Sequence, residues 1–267
     1  MKNLLKSFPV FIIAVLAAIT LSPIPAILLD ILITVNLMFA FLILFAVVSL
    51  KEIKKFKLLP TAILLSIVFS LAINISAVRL ILTKGTGFDG RVIRFISIPL
   101  FNSGTIGHII GCIIFILLMS ILIIIITKGG TRVSEIAARF TLDSIQVKMM
   151  ATEAELESGA ITKEEAVLRK QRFQQESDFF VSVNGASKFI LGNVKFVIFA
   201  AIIVIIAGTL MEYFFRDVPL NDAISNYLGL SISTGLLFML PPILLSMSIG
   251  VVVTREAARC RVKEGTL

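Results

Sequence analysis

Long stretches without a single Asp, Glu, Lys or Arg set the rhythm of this chain. Six of them, residues 7–29, 31–50, 58–78, 95–127, 196–211 and 223–254, reach or approach the roughly 20 apolar residues that a helix needs to cross a hydrocarbon core. The fifth is short between Lys195 and Glu212, but Val194 and the aromatic trio Tyr213, Phe214 and Phe215 extend it to the interface while the lysine snorkels. Within the two longest runs the apolar cores cover 108–126 and 228–253. The Gly, Ser and Asn residues ahead of them are left as re-entrant or interfacial backbone, which must be covered by protein. The pattern predicts an all-α, polytopic membrane helix bundle with about six transmembrane helices.

Lys2 and Lys6 ahead of the first apolar run could mark a secretory signal, but no small-x-small cleavage site follows and the next run begins at once. A helical hairpin bent at Pro23 and Pro25 fits better. The fold then divides into a membrane region at 1–127, a hydrophilic loop at 128–193, and a second membrane region at 194–267 with a short basic tail.

The loop carries nine basic and nine acidic residues, finely mixed, which suits salt-bridged helices. Val133, Ile136, Ala137, Phe140 and Ile145 recur at helical spacing, predicting an amphipathic helix over 132–154 with Arg139 and Asp143 four apart on one face. Gly159 interrupts it. Thr162-Lys163-Glu164-Glu165 has capping-box spacing and starts a second helix over 163–178. The pair reads as a small cytoplasmic helical subdomain between spans four and five, against the plainer alternative of a solvated connector.

Charge fixes the expected orientation. With the N-terminus in the cytoplasm, Lys2, Lys6, Lys51, Lys54, Lys55, Lys57, the whole loop and the tail Arg255, Arg259, Arg261 and Lys263 fall on one side, leaving Lys84, Arg91, Arg94 and Arg216 opposite. That is the positive-inside bias, with both termini cytoplasmic. The net charge of +8 therefore reflects topology rather than a nucleic-acid partner.

Composition agrees: 57% hydrophobic and 16% charged is far from an ordinary soluble domain. Cys112 and Cys260 lie far apart, so no disulfide framework is expected, and one histidine cannot build a metal cluster. Without a P-loop or a Gly-x-Ser-x-Gly, neither an enzyme nor a cofactor is expected. Asp30, in the membrane hairpin, is either a proton-carrying group or an interfacial cap at the start of the second helix. Asn74 and Arg79 either meet a neighbouring subunit or anchor the third helix at the outer interface, with anchoring preferred. His108 reads as a helix-end donor.

The run Arg132-Val133-Ser134-Glu135-Ile136-Ala137-Ala138-Arg139-Phe140-Thr141-Leu142-Asp143 resembles the signature of the FHIPEP family, the large export-gate membrane proteins of flagellar and injectisome type III secretion systems. Further similarities follow in order: Pro23-Ile24-Pro25 through Asp30 to Asn36, Leu71-Ala72-Ile73-Asn74 through Arg79-Leu80-Ile81-Leu82, Gly185-Ala186-Ser187-Lys188-Phe189, and Gly250-Val251-Val252-Val253-Thr254-Arg255. The resemblance implies a bacterial inner-membrane subunit of a homo-oligomeric ring. Its partners would be other membrane export-gate subunits, exported proteins in transit and the lipid bilayer, and it would couple proton flow to secretion. Arg132, Glu135, Arg139, Asp143 and Lys148 would form an inter-subunit ion-pair belt gating the pore, against simple within-helix salt bridging. Asp178 and Lys188 would contact the loop's first helix at the return to the membrane.

Family members usually continue into two further spans and a large cytoplasmic domain, which this chain stops short of. The sequence also departs from the pattern at Asn184, Asn193 and Thr234, which stand where relatives are usually acidic, and at Ser70, where an arginine is expected. An amide or hydroxyl cannot exchange protons as a carboxylate does, so these departures bear on proton coupling rather than on architecture. After Asp143 the usual Pro-Gly break is absent, which predicts a more continuous helix. Two other classes remain open: a small-solute secondary transporter, which would show inverted repeats and helices broken as Pro241-Pro242 would break the sixth, and a non-conducting, truncated paralogue acting as a scaffold.

Overall fold

A computed structural model describes residues 19–20, 22–49, 58–101 and 104–264. Most of the expected first span at 7–29 and the basic segment at 51–57 lie outside the described residues. Every regular element among the described residues is helical: α1 (Ala26–Ser49), α2 (Leu59–Lys84), a 3-10 turn (Gly85–Gly87), α3 (Arg91–Phe101), α4 (Gly104–Ile124), a π-helical turn (Ile125–Thr131), α5 (Arg132–Glu157), α6 (Lys163–Phe215) and α7 (Leu220–Glu264). The expected all-α fold holds. Hydrocarbon leaves a spanning backbone no partner but itself, so even Ile-rich runs stay helical.

Among the described residues five helices are long and apolar enough to cross a membrane: Ala26–Ser49, Leu59–Gly87, Cys112–Glu157, Lys163–Phe215 and Leu220–Arg255. α7 is the centre, packed against α6, α1, α3, α4 and α2. Its apolar window is 61% buried, against 12% for the α4 segment, which stands at the periphery with Ile113, Ile116, Leu117 and Ile121 facing outward. Such outward faces are ordinary where lipid is the solvent. Close crossings rest on small residues: a Cβ on Gly208 of α6 would fall on the Tyr227 ring of α7, and one on Gly130 would fall on Ser246.

Local signals place the ends. Proline at the first turn opens α2, and Gly85, at φ +57°, closes it. Gly159 takes φ +75° in the turn after α5. There Thr162 Oγ1 accepts from the Glu165 amide at 3.2 Å while Glu165 Oε2 accepts from the Thr162 amide at 3.5 Å, forming the expected capping box.

Three expectations change. The helix expected over 163–178 does not stop there; α6 runs 53 residues without a break, joining loop and span. Gly185 and Gly192 each cost about 1 kcal/mol in a helix, but Phe179, Phe180, Val183, Ala186 and Ile190 bury their side chains along the same stretch and outweigh them. α4 likewise passes through the π turn into α5, which extends unbroken past Asp143 as the missing Pro-Gly predicts. Both expected domain boundaries, at 127/128 and 193/194, thus fall inside continuous helical rods. Finally, Pro241-Pro242 does not break α7: the chain stays helical across the pair, at the cost of the helix donors for the Leu237 and Phe238 carbonyls.

Substituting Gly208→Ala forces the new methyl into the Tyr227 ring. It is expected to cost about 1–3 kcal/mol through overpacking, read as a thermal midpoint several degrees lower in detergent. An unchanged midpoint would contradict the crossing.

Candidate functional site

The polar halves of α5 and α6 form an antiparallel hairpin below the bundle. Ser134, Ala138, Ile145 and Thr152 of α5 are buried toward α6, which presents Ala166, Ser177, Phe180 and Val183. At the tip, Arg169 Nη1 lies 2.7 Å from Glu155 Oε2 and Lys170 Nζ lies 2.6 Å from Glu153 Oε1. Both pairs are largely exposed, so they set register more than they add stability.

The signature residues face the other way. Arg132, Glu135, Arg139 and Asp143 are exposed, and no ion pair joins any of them within the chain among the described residues. Arg139 and Asp143 are four apart as expected, yet form no salt bridge; each extends into open space. Lys148 is half-buried. Interleaved with them, Ile136, Phe140, Val147 and Met150 are 47%, 70%, 67% and 70% exposed, a second apolar stripe opposite the packed face. Among the described residues neither Asp178 nor Lys188 forms an ion pair with α5. Asp178 Oδ1 accepts from Gln174 Nε2 at 3.0 Å on its own helix, and Lys188 is exposed.

Asp30 is neither a free carboxylate nor a cap for its own helix. It sits one turn inside α1 and accepts from the backbone amides of Arg91 (2.8 Å) and Val92 (3.3 Å), capping the start of α3 from across the bundle. Asn74 departs from the anchoring expectation: it is 1% exposed, inside the bundle rather than at an interface. Arg79 lies half-buried further along α2.

Ser66, Ser70 and Asn74 recur every four residues on α2 and are all buried, making a neutral polar lane through an otherwise apolar core. Asn193 of α6 meets that lane, its Nδ2 donating to Ser70 Oγ at 3.4 Å. Thus two of the sequence's departures, Ser70 and Asn193, are spatial partners. Thr234 is buried on α7, its hydroxyl donating to the Leu230 carbonyl at 2.6 Å.

A second cluster, at the end of the bundle remote from the hairpin, escaped the sequence reading. Glu212 is fully buried; its carboxylate accepts from Tyr227 Oη (3.0 Å), Arg216 Nη1 (3.0 Å) and the Thr86 amide (3.4 Å). Arg216 Nη2 also donates to the Thr83 carbonyl at 2.6 Å, so α2, α6 and α7 are clamped at one point. Gly85 makes room: a Cβ there would collide with the Arg216 guanidinium and the Glu212 carboxylate. Glu212 reads in the sequence as the edge of a span; the signal it carried was Arg216 four residues on. Nearby, Lys84 Nζ sits 2.6 Å from Asp89 Oδ1, and this bond holds the exposed Asp89 carboxyl below its ordinary value of 3.8.

An all-helical membrane bundle with a charged helical hairpin continuous with two of its long helices defines the class. The chain belongs to the FHIPEP family, whose family model matches residues 15–266. It is 43% identical over 238 residues to the flagellar biosynthesis protein FlhA of Borreliella burgdorferi, covering 89% of this chain and 34% of that protein. It is 45% identical over 236 residues to that of Treponema pallidum (88% and 33%), and 35% identical over 248 residues to that of Bacillus subtilis (92% and 36%). The chain thus spans about a third of the length of the curated relatives it matches. No solved structure matches it.

Asp30→Ala removes the cap on α3 and is expected to cost about 0.5–2 kcal/mol, with faster amide exchange at Arg91 and Val92; Asp30→Asn retains most of the protection. Equal exchange in all three proteins would show that the cap contributes nothing.

Proposed function

We propose that this chain is the membrane-embedded part of a flagellar protein-export subunit that closes, in several copies, into a collar around the export gate of the bacterial inner membrane. The observation that carries this reading is the exposed signature face: Arg132, Glu135, Arg139 and Asp143, in no ion pair among the described residues, alternating with exposed Ile136, Phe140, Val147 and Met150. Apolar side chains of that size, flanked by charges of both signs, suit burial against a surface of the same mixed character, and a second copy supplies one. Family membership and relatives named as flagellar biosynthesis proteins support the export context. Lysine and arginine placement supports a cytoplasmic hairpin and cytoplasmic termini. The other gate subunits and the polypeptides in transit complete the set of partners.

Proton coupling enters this proposal only through the carboxylates the chain retains. Asp30 is engaged by two amides and Asn193 and Thr234 are neutral inside the bundle, so the carboxylates this proposal can draw on are the exposed ones of the signature face, Glu135 and Asp143. A non-conducting collar is the second reading, favoured by the neutral residues at Asn184, Asn193 and Thr234.

Arg139→Glu tests the collar. Because the side chain is exposed and makes no bond among the described residues, folding stability should change by no more than about 0.5 kcal/mol, while export of flagellar subunits in a complemented host falls at least about tenfold, the equivalent of about 1.4 kcal/mol at the interface. Normal export by this variant would remove the interface role. Proton leak in vesicles separates the two readings: a leak lost on Asp143→Asn supports coupling, and no leak from either protein supports the passive collar.

A further inference from the structure

Asn74 is 1% exposed in a helix long and apolar enough to span a bilayer, yet its side chain makes no hydrogen bond among the described residues, and its Nδ2 is wholly enclosed. An amide buried this way costs several kcal/mol in hydrocarbon unless something answers it. The residue borders a cavity of about 10 Å³ between α2, α6 and α7, walled by Val78, Val197 and Val204 and bearing two hydroxyls, Ser231 and Thr234. That is the room one water needs.

The hydroxyls have already committed their protons. Ser231 Oγ donates to the Ala201 carbonyl at 2.8 Å and Thr234 Oγ1 to the Leu230 carbonyl at 2.6 Å. Toward the cavity they can therefore only accept, whereas Asn74 Nδ2 can only donate. A water, which accepts one hydrogen bond and donates two, is the complement of this set. We propose that the cavity is a resident single-water site, in which the water accepts a hydrogen bond from Asn74 Nδ2 and donates to Ser231 Oγ and Thr234 Oγ1, tying α2 to α7 across the bundle core without a charge. The site is too small for a solute.

A double-mutant cycle on the full chain in detergent reads the bridge. Thr234→Val keeps the volume and removes one acceptor, so the thermal midpoint falls by a few degrees. Asn74→Leu fills the cavity and expels the water, so in that background Thr234→Val produces a distinctly smaller shift. Equal shifts in the two backgrounds overturn the proposal. Should Asn74→Leu fail to fold, a density map of the unmodified protein at a resolution that shows waters decides: a single peak within hydrogen-bond distance of the three side chains is expected, and an empty cavity overturns the site. Melting in sodium chloride against choline chloride should give equal midpoints; a sodium-specific rise that Thr234→Val abolishes would assign a cation instead and equally overturn it.

Discussion

Hydrocarbon offers a polar group nothing to bond to, and this single constraint shapes the molecule from end to end. It keeps α6 and α7 helical through glycines and a proline pair, because a broken turn would strand amides and carbonyls. It also gives a reason for the polar pairings that cross the bundle. Glu212 answers Tyr227, Arg216 and the Thr86 amide; Asn193 answers Ser70; Asp30 answers the start of α3. Each set joins helices distant in sequence, so the same bonds that satisfy desolvated groups also fix which helices are neighbours.

The mechanical consequence lies in α6. At 1.5 Å per residue, its 53 residues make a rod of about 80 Å, one end in the bundle and the other forming the hairpin. The bundle holds that rod at the Glu212 clamp, at the Gly208–Tyr227 crossing and at the Ser70–Asn193 contact. α7 is tied in turn to the end of α1, where Arg255 Nη1 donates to the Val47 and Val48 carbonyls at 3.2 and 2.8 Å. α5 leaves the bundle through the π turn, with Gly130 resting on Ser246. A force on the hairpin would therefore pass along continuous helix into the core.

Much of this was legible in the residues. Apolar run lengths give the helical class, Thr162 and Glu165 give the start of α6, and the stretch from Arg132 to Asp143 gives the family. The remainder depended on tertiary packing. Nothing between Asp178 and Phe196 says that a solvated helix and a spanning helix are one element, because the signal is burial of Phe179, Phe180 and Val183 against partners far away in sequence. Asp30 looks like a local cap, and only the fold brings Arg91 and Val92 to it. Glu212 was hardest to read, since a charge at the edge of an apolar run ordinarily marks the water interface, and here the neighbouring helices bury it. Asn74 misled for the opposite reason: its place near Arg79 suggests an interface, while the four-residue recurrence with Ser66 and Ser70 was the clue to an interior lane.

The proposed collar requires the signature face to meet another copy of itself. Native mass measurement of the full chain, released gently from lipid at low and at high salt, tests that most directly. Several copies per particle are expected, with the assembly loosening as salt screens the exposed charges; particles of one copy under every condition would contradict it.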